Sequence, residues 1–208
     1  MHILRDHHLQ PVVFFDIDTQ IDFMLPEGKL YMQGAERIIP NLERLVRWAR
    51  ANSVPVISTA DAHAPDDPEF RTWPPHCVAG TPGQQRIPAT RFAEALVIPR
   101  RAGAFHPPVP ASGQLVVEKT TYSPEDNPNW NAVLEPLAGC RAVVFGVATE
   151  ICVRAVVLAL RRRGFPVDVV SDAIRAVTEE GGRQALVEMA KAGVRMVSTD
   201  QVCAATRA

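Results

Sequence analysis

Along most of the chain, short β-branched or aromatic runs alternate with longer stretches whose apolar residues recur at helical spacing. Strands are expected at Pro11 to Asp16 (PVVFFD), Val54 to Thr59, Gln114 to Glu118, Arg141 to Val147, Val167 to Val170 and Arg195 to Ser198. Helices are expected at Ile38 to Ala51, where Leu42, Leu45, Val46 and Ala49 share a face, and at Ala132 to Leu137, Cys152 to Arg163 and Gly182 to Ala192. That order predicts an α/β fold of three layers, a mostly parallel sheet covered by helices on both faces. Right-handed crossovers then gather the strand C-termini along one edge, where open α/β sheets bind their ligands.

A chain of 208 residues suits one domain with a substantial core. Its 47% hydrophobic and 22% charged content is that of a soluble globular protein. A formal net charge of −1 gives no reason to expect nucleic acid or an acidic membrane as partner. Arg161, Arg162 and Arg163 close a predicted helix, where cations complement the C-terminal dipole. No run approaches the ~20 apolar residues that span a bilayer. The opening MHILRDHHLQ reads as too short and polar for a secretory signal, and His7 and His8 as an exposed pair. The four cysteines form no CxxC pair, so reduced thiols in a cytoplasmic protein are expected. The stretch from Asp61 to Pro110 breaks the alternation and is too long for a plain connection, which points to a functional loop region. A helix is expected within it at Ala89 to Leu96.

Three predicted strand ends carry reactive groups. The first runs into DIDTQIDF, with Asp16, Asp18 and Asp22; the third ends at Glu118 and Lys119; the fourth leads through GVATE to Cys152. Cys152 stands where a helix begins, beside unpartnered N–H groups that favour a thiolate and can hold an oxyanion. Singly, such residues are more often caps, solvated terminators or buried thiols. Together at one sheet edge, an acid, an amine and a thiol are what covalent acyl transfer needs. Lys119 and the helix terminus are expected to hold the thiol below its free value, with Glu150 pointing away. A second constellation, DAHAPDDPEFRTWPPHC, offers Asp61, His63, Glu69 and His76. Imidazole and carboxylate donors suit zinc, iron(II) or manganese. The plainer reading is a polar turn segment with Asx-type bonding at Asp66 and Asp67; Cys77 is left out of both.

These blocks together resemble the isochorismatase-like cysteine hydrolases, and within them the nicotinamidases. DTQIDF is similar to the family's segment after the first strand, which implies Asp18 as catalytic base. Lys119 matches the catalytic lysine, and GVATEIC the nucleophile turn, placing the nucleophile at Cys152. DAH…E…WPPHCVAGTPG is similar to the nicotinamidase metal segment, implying one divalent ion, zinc first with iron or manganese also compatible, on Asp61, His63, Glu69 and His76. The resemblance spans roughly residues 11 to 200. It further implies a cis peptide between Val147 and Ala148, an oxyanion hole from the backbone N–H groups of Ala148 and Cys152, and a substrate pocket with Phe23, Trp73, Tyr122 and Val147. The implied reaction is hydrolysis of nicotinamide, or a close aromatic carboxamide such as pyrazinamide, through a thioester. Relatives are often multimeric, so a homo-oligomer is expected.

One segment departs from the nicotinamidase pattern. After Lys119 the chain reads KTTYSPEDNPNW, the short form of isochorismatase-type relatives, with Glu125 where their phenylalanine stands. Glu125 therefore either reshapes the pocket or faces solvent. The alternatives are a cysteine amidase for another small amide or carbamoyl compound, and, from another class, a non-catalytic metal-binding, redox-regulatory or docking protein on the same scaffold. An isochorismatase proper is disfavoured by the cysteine.

Overall fold

The computed structural model describes residues 10–105 and 113–204; His7, His8 and the end of the long loop region lie outside them. Seven strands form one sheet: β1 (Val12–Ile17), β2 (Val56–Asp61), β3 (Leu96–Ile98), β4 (Gln114–Lys119), β5 (Arg141–Val147), β6 (Val167–Arg175) and β7 (Arg195–Val197). Their order is β3-β4-β2-β1-β5-β6-β7, and every pairing is parallel. The unbroken apolar strands explain this, since a parallel strand is buried on both faces.

The helices are α1 (Ile21–Met24), α2 (Ile39–Ala51), α3 (Trp130–Leu134), α4 (Arg154–Arg162), α5 (Glu179–Lys191) and α6 (Thr199–Ala204). On one face α3, α4 and α5 bury Trp130, Val156, Leu160 and Met189 against Phe15, Val144 and Val169. On the other, α2 buries Leu42, Leu45 and Ala49 with Phe14, Val56 and Phe145, and α6 packs Val202 and Cys203 there. The chain builds outward from β1 through β2 to β4, then returns to β5 on β1's other side. The reversal opens a crevice beside the C-terminal end of β1, the usual ligand position in such sheets.

Several expectations are corrected. No helix forms at Ala89 to Leu96: that stretch is turns and irregular chain ending in β3, an edge strand too short to show alternation. β2 runs on to Asp61 and β6 to Arg175, beyond their apolar runs, because neighbouring strands pair with the polar ends. The helix carrying Cys152 opens earlier, as a π-type turn over Thr149–Val153 in which Val153 N–H reaches back to the Ala148 carbonyl at 3.1 Å. Such turns concentrate at functional sites.

Gly146 is the glycine this arrangement requires. Its φ is +117°, and a Cβ there would lie 2.1 Å from the Ile17 carbonyl oxygen. Only a residue without a side chain lets β5 pass this close to β1, one residue below Asp18. Among the described residues no helix is long and apolar enough to cross a membrane.

Candidate active site

Asp18 follows β1, Lys119 ends β4 and Cys152 sits in the turn after β5. The lysine crosses the end of β2 to join the other two. Its Nζ is 2.8 Å from Asp18 Oδ2, pairs with Asp61 Oδ1, and lies 3.7 Å from Cys152 Sγ. Asp18 has φ +49°, and its Oδ1 accepts a 2.6 Å hydrogen bond from Thr59 Oγ1. All are buried; Lys119 has 0% exposure. The structure thus brings the three expected reactive groups to one point.

Burial raises Asp18 above the ordinary carboxylate range, and Lys119 offsets this only in part. Burial opposes the charge on Asp61 too, but Lys119 and His63 outweigh it and hold Asp61 low. Burial likewise opposes the ammonium of Lys119, yet Asp18 and Asp61 overcome it and push the lysine well up. The thiol corrects a sequence expectation. Burial drives Cys152 well above its free value, the two carboxylates add to this, and Lys119 does not reverse it. One buried cation already serves two carboxylates, so a resting thiolate would add a further uncompensated charge in a buried site. The surroundings of Cys152 thus favour its protonated form. Its proton must leave as the sulfur bonds to carbon.

Glu150 points away, as expected. Its carboxylate accepts from Val177 N at 3.2 Å and Thr178 N at 2.9 Å, at the entry to α5. The Val147–Ala148 peptide is cis. Asp16, offered by the sequence alongside Asp18, is instead a buried structural group paired with Arg86 and accepting from Thr19 and Ser58.

Next to Lys119, donor atoms of Asp61, His63 and His76 lie within 4.8 Å of one another. His63 Nε2 and His76 Nε2 stand 3.7 and 3.9 Å from Asp61 Oδ2. His76 Nδ1–H donates to the Pro74 carbonyl at 2.8 Å, which in the neutral ring leaves Nε2 with the lone pair. His63 Nε2 is buried without a hydrogen-bond partner, while its Nδ1 lies 3.1 Å from Asp67 Oδ2. Burial opposes a proton on His63, yet Asp61 and Asp67 outweigh it and raise its pKa. Burial holds His76 the other way, toward its neutral form. This donor set fits a divalent metal. The fourth expected ligand, Glu69, falls in an overlapping group with His63 and Asp67, placed there by the 3-10 turn Pro68–Arg71 that Asp67 starts by accepting from Glu69 N.

The pocket above these groups holds about 560 Å³ including its open mouth, and its lining includes Asp18, Asp61, Glu69, His76, Ala148 and Cys152. Phe23, Trp73, Tyr122 and Val147 line it as expected. Sequence reasoning missed Leu30, Met32, Ile151 and Val177, apolar residues with no chemical signal of their own, and Tyr31. It also missed three supports. Gln20 clamps Asp61's backbone, accepting from its N–H at 2.7 Å and donating to its carbonyl at 2.8 Å. Asp22 accepts from Cys77 N at 2.7 Å, fixing the chain next to His76. Phe70 packs against both imidazoles, at 5.3 Å from His63 and 5.8 Å from His76. Gln20 and Asp22 stand within DTQIDF, so only their roles, not their positions, were hidden.

The chain is similar to several proteins of known designation. The chain is 29% identical over 190 residues to a nicotinamidase/pyrazinamidase of Mycobacterium tuberculosis, covering 87% of this chain and 95% of that one. It is 26% identical over 205 residues to a nicotinamidase of Acinetobacter baylyi, covering 89% and 92%. Among solved structures, a pyrazinamidase of Pyrococcus horikoshii in complex with zinc superposes with a TM-score of 0.73 at 26% identity, covering 89% of this chain and 98% of that one. Residues 12–201 match the isochorismatase domain, nearly the whole of the chain. With its all-parallel sheet, strand-end triad and family match, this chain belongs to the isochorismatase-like hydrolases, on their nicotinamidase-like branch.

Proposed function

We propose that the protein hydrolyses a small aromatic carboxamide, nicotinamide first and pyrazinamide as a close second, to the acid and ammonia. The observation that carries this reading is the contact of Lys119 with both Asp18 and Cys152 at the floor of an aromatic-walled pocket. The names of the similar proteins support the same chemistry.

As Cys152 Sγ bonds to the amide carbon, its proton passes to Asp18, and the N–H groups of Ala148 and Cys152 receive the developing oxyanion. Asp18 then gives that proton to the departing nitrogen as the C–N bond breaks, releasing ammonia and leaving a thioester. A water loses a proton to Asp18 and attacks the thioester. The C–S bond breaks, Asp18 returns the proton to sulfur, and the acid leaves. Lys119 stays charged throughout and stabilises Asp18 whenever it is ionised. Asp61, His63 and His76 would hold the divalent ion, which when bound supplies a Lewis-acid anchor for the ring nitrogen and so orients the amide. Phe23 and Trp73 flank the ring.

Ammonia release from a panel of small amides tests the reading, with nicotinamide and pyrazinamide expected to lead. A preference for an aliphatic or carbamoyl substrate would move the protein to another amidase of the family, and no release at all would favour a non-catalytic scaffold. Chelation gives a second test. Metal removal is expected to raise KM for pyridine carboxamides by roughly 10-fold or more and to change benzamide little. Unaltered nicotinamide turnover after verified metal loss would remove the anchoring role.

A further inference from the structure

The short segment after Lys119, which departs from the nicotinamidase pattern, is tied down at every residue but its tip. Thr120 donates to Asp126 Oδ2 from its N–H at 3.1 Å and from its hydroxyl at 3.2 Å, and Arg100 Nε reaches the same oxygen at 3.0 Å. Ser123 Oγ accepts from Glu125 N at 3.3 Å. Glu125 does not enter the pocket. Its two oxygens meet Arg162 at 2.7 Å and Arg163 at 2.6 Å, at the C-terminal end of α4. Two guanidinium groups on one carboxylate hold it below the ordinary range, hydrogen bonding to Arg163 being the largest cause. Between these anchors Tyr122 is 46% exposed, with its ring on the pocket wall. Its hydroxyl accepts from Trp73 Nε1 at 3.0 Å.

Among the described residues, Tyr122 is the one group that hydrogen-bonds the Trp73 indole. Trp73 lies in an irregular stretch, beyond a 3-10 turn and before Pro74 and Pro75, and is only partly buried. A large ring there loses its stacking value if it can rotate.

We propose that the loop from Thr120 to Asp126 is a bracket for Trp73: Tyr122 is a positioning residue that orients the indole through this hydrogen bond, and so selects flat aromatic amides over aliphatic ones. The departure at Glu125 is then an anchor for the bracket, exchanging a pocket side chain for a grip on α4. The inference rests on the amidase reading above, and deepens it by assigning substrate selectivity to Tyr122 and its anchors.

The test is a double-mutant cycle with Tyr122→Phe and Trp73→Phe, read as kcat and KM on nicotinamide and on a small aliphatic amide in the metal-loaded enzyme. Tyr122→Phe is expected to raise KM for nicotinamide about fivefold, the size of effect one hydrogen bond supports. The penalty should fall on KM rather than kcat, should be several-fold smaller for the aliphatic amide, and should leave the melting temperature unchanged. Trp73→Phe keeps an aromatic ring but loses the N–H, so adding Tyr122→Phe to it should cost nothing further. Glu125→Ala should show the same KM signature at roughly half the size. An undiminished Tyr122→Phe penalty in the Trp73→Phe background overturns the proposal, because Tyr122 would then act directly on substrate. So does a Tyr122→Phe enzyme indistinguishable from wild type while wild type turns nicotinamide over. A wild-type enzyme without activity on any amide instead brings down the functional reading, a result the cycle does not mimic.

Discussion

Cys152→Ala is expected to yield a folded protein that releases no measurable ammonia, a loss of about 10⁴-fold or more. Nucleophile deletions in covalent hydrolases reach this scale because both halves of the reaction pass through the lost atom. The fold should survive. Cys152 Sγ lies at the edge of a cluster holding Phe15, Val144, Val153 and Val156, and its removal deletes one atom from a site already open to the pocket. Ammonia release and the melting temperature, measured on the same preparation, decide the matter. A stable variant with near-normal turnover would take Cys152 out of the mechanism, and with it the thioester.

Lys119→Met is expected to have the second largest effect, and it separates charge from chemistry. Lys119 is the common partner of Asp18 and Asp61, all of them buried. Taking the cation away leaves two carboxylates facing each other without compensation, which typically costs about 3–5 kcal/mol. For a chain of this size that is a fall in melting temperature of roughly 10 °C, with activity lost as well. Asp18→Asn should behave differently. It removes a carboxylate whose ionisation burial already opposes, and it keeps an oxygen for the hydroxyl of Thr59. Stability should hold or rise while turnover drops about 100–10,000-fold, the range of a lost general base. Equal destabilisation by the two variants would contradict the charge balance described above.

Much of this architecture was legible in advance because it follows from periodicity. PVVFFD and RAVVFGV, short and β-branched or aromatic, read as buried strands, and the apolar spacing from Leu42 to Ala49 marks α2 at once. The triad was legible because Asp18, Lys119 and Cys152 stand at strand ends, and parallel strands place those ends side by side. Failure came where local sequence does not determine geometry. Glu69 stands within DAHAPDDPEFRTW, yet a single 3-10 turn decides that it groups with His63 and Asp67. The thiol was misjudged because Lys119 is visible from sequence, whereas its engagement by Asp61 appears only in three dimensions. The stretch at Ala89 to Leu96 misled for a related reason: tertiary contacts, such as Gln114 accepting from Phe92 N at 2.9 Å, decide its path.

The resting charge balance has a consequence for durability. Peroxides and electrophiles attack sulfur in its ionised state, so a nucleophile that stays protonated until an amide is in place offers them little. Most thiol enzymes gain speed by keeping sulfur ionised and accept its slow loss to oxidation. With Lys119 shared between Asp18 and Asp61, the sulfur beside it is short of compensating positive charge, and slow inactivation by peroxide is the expected result.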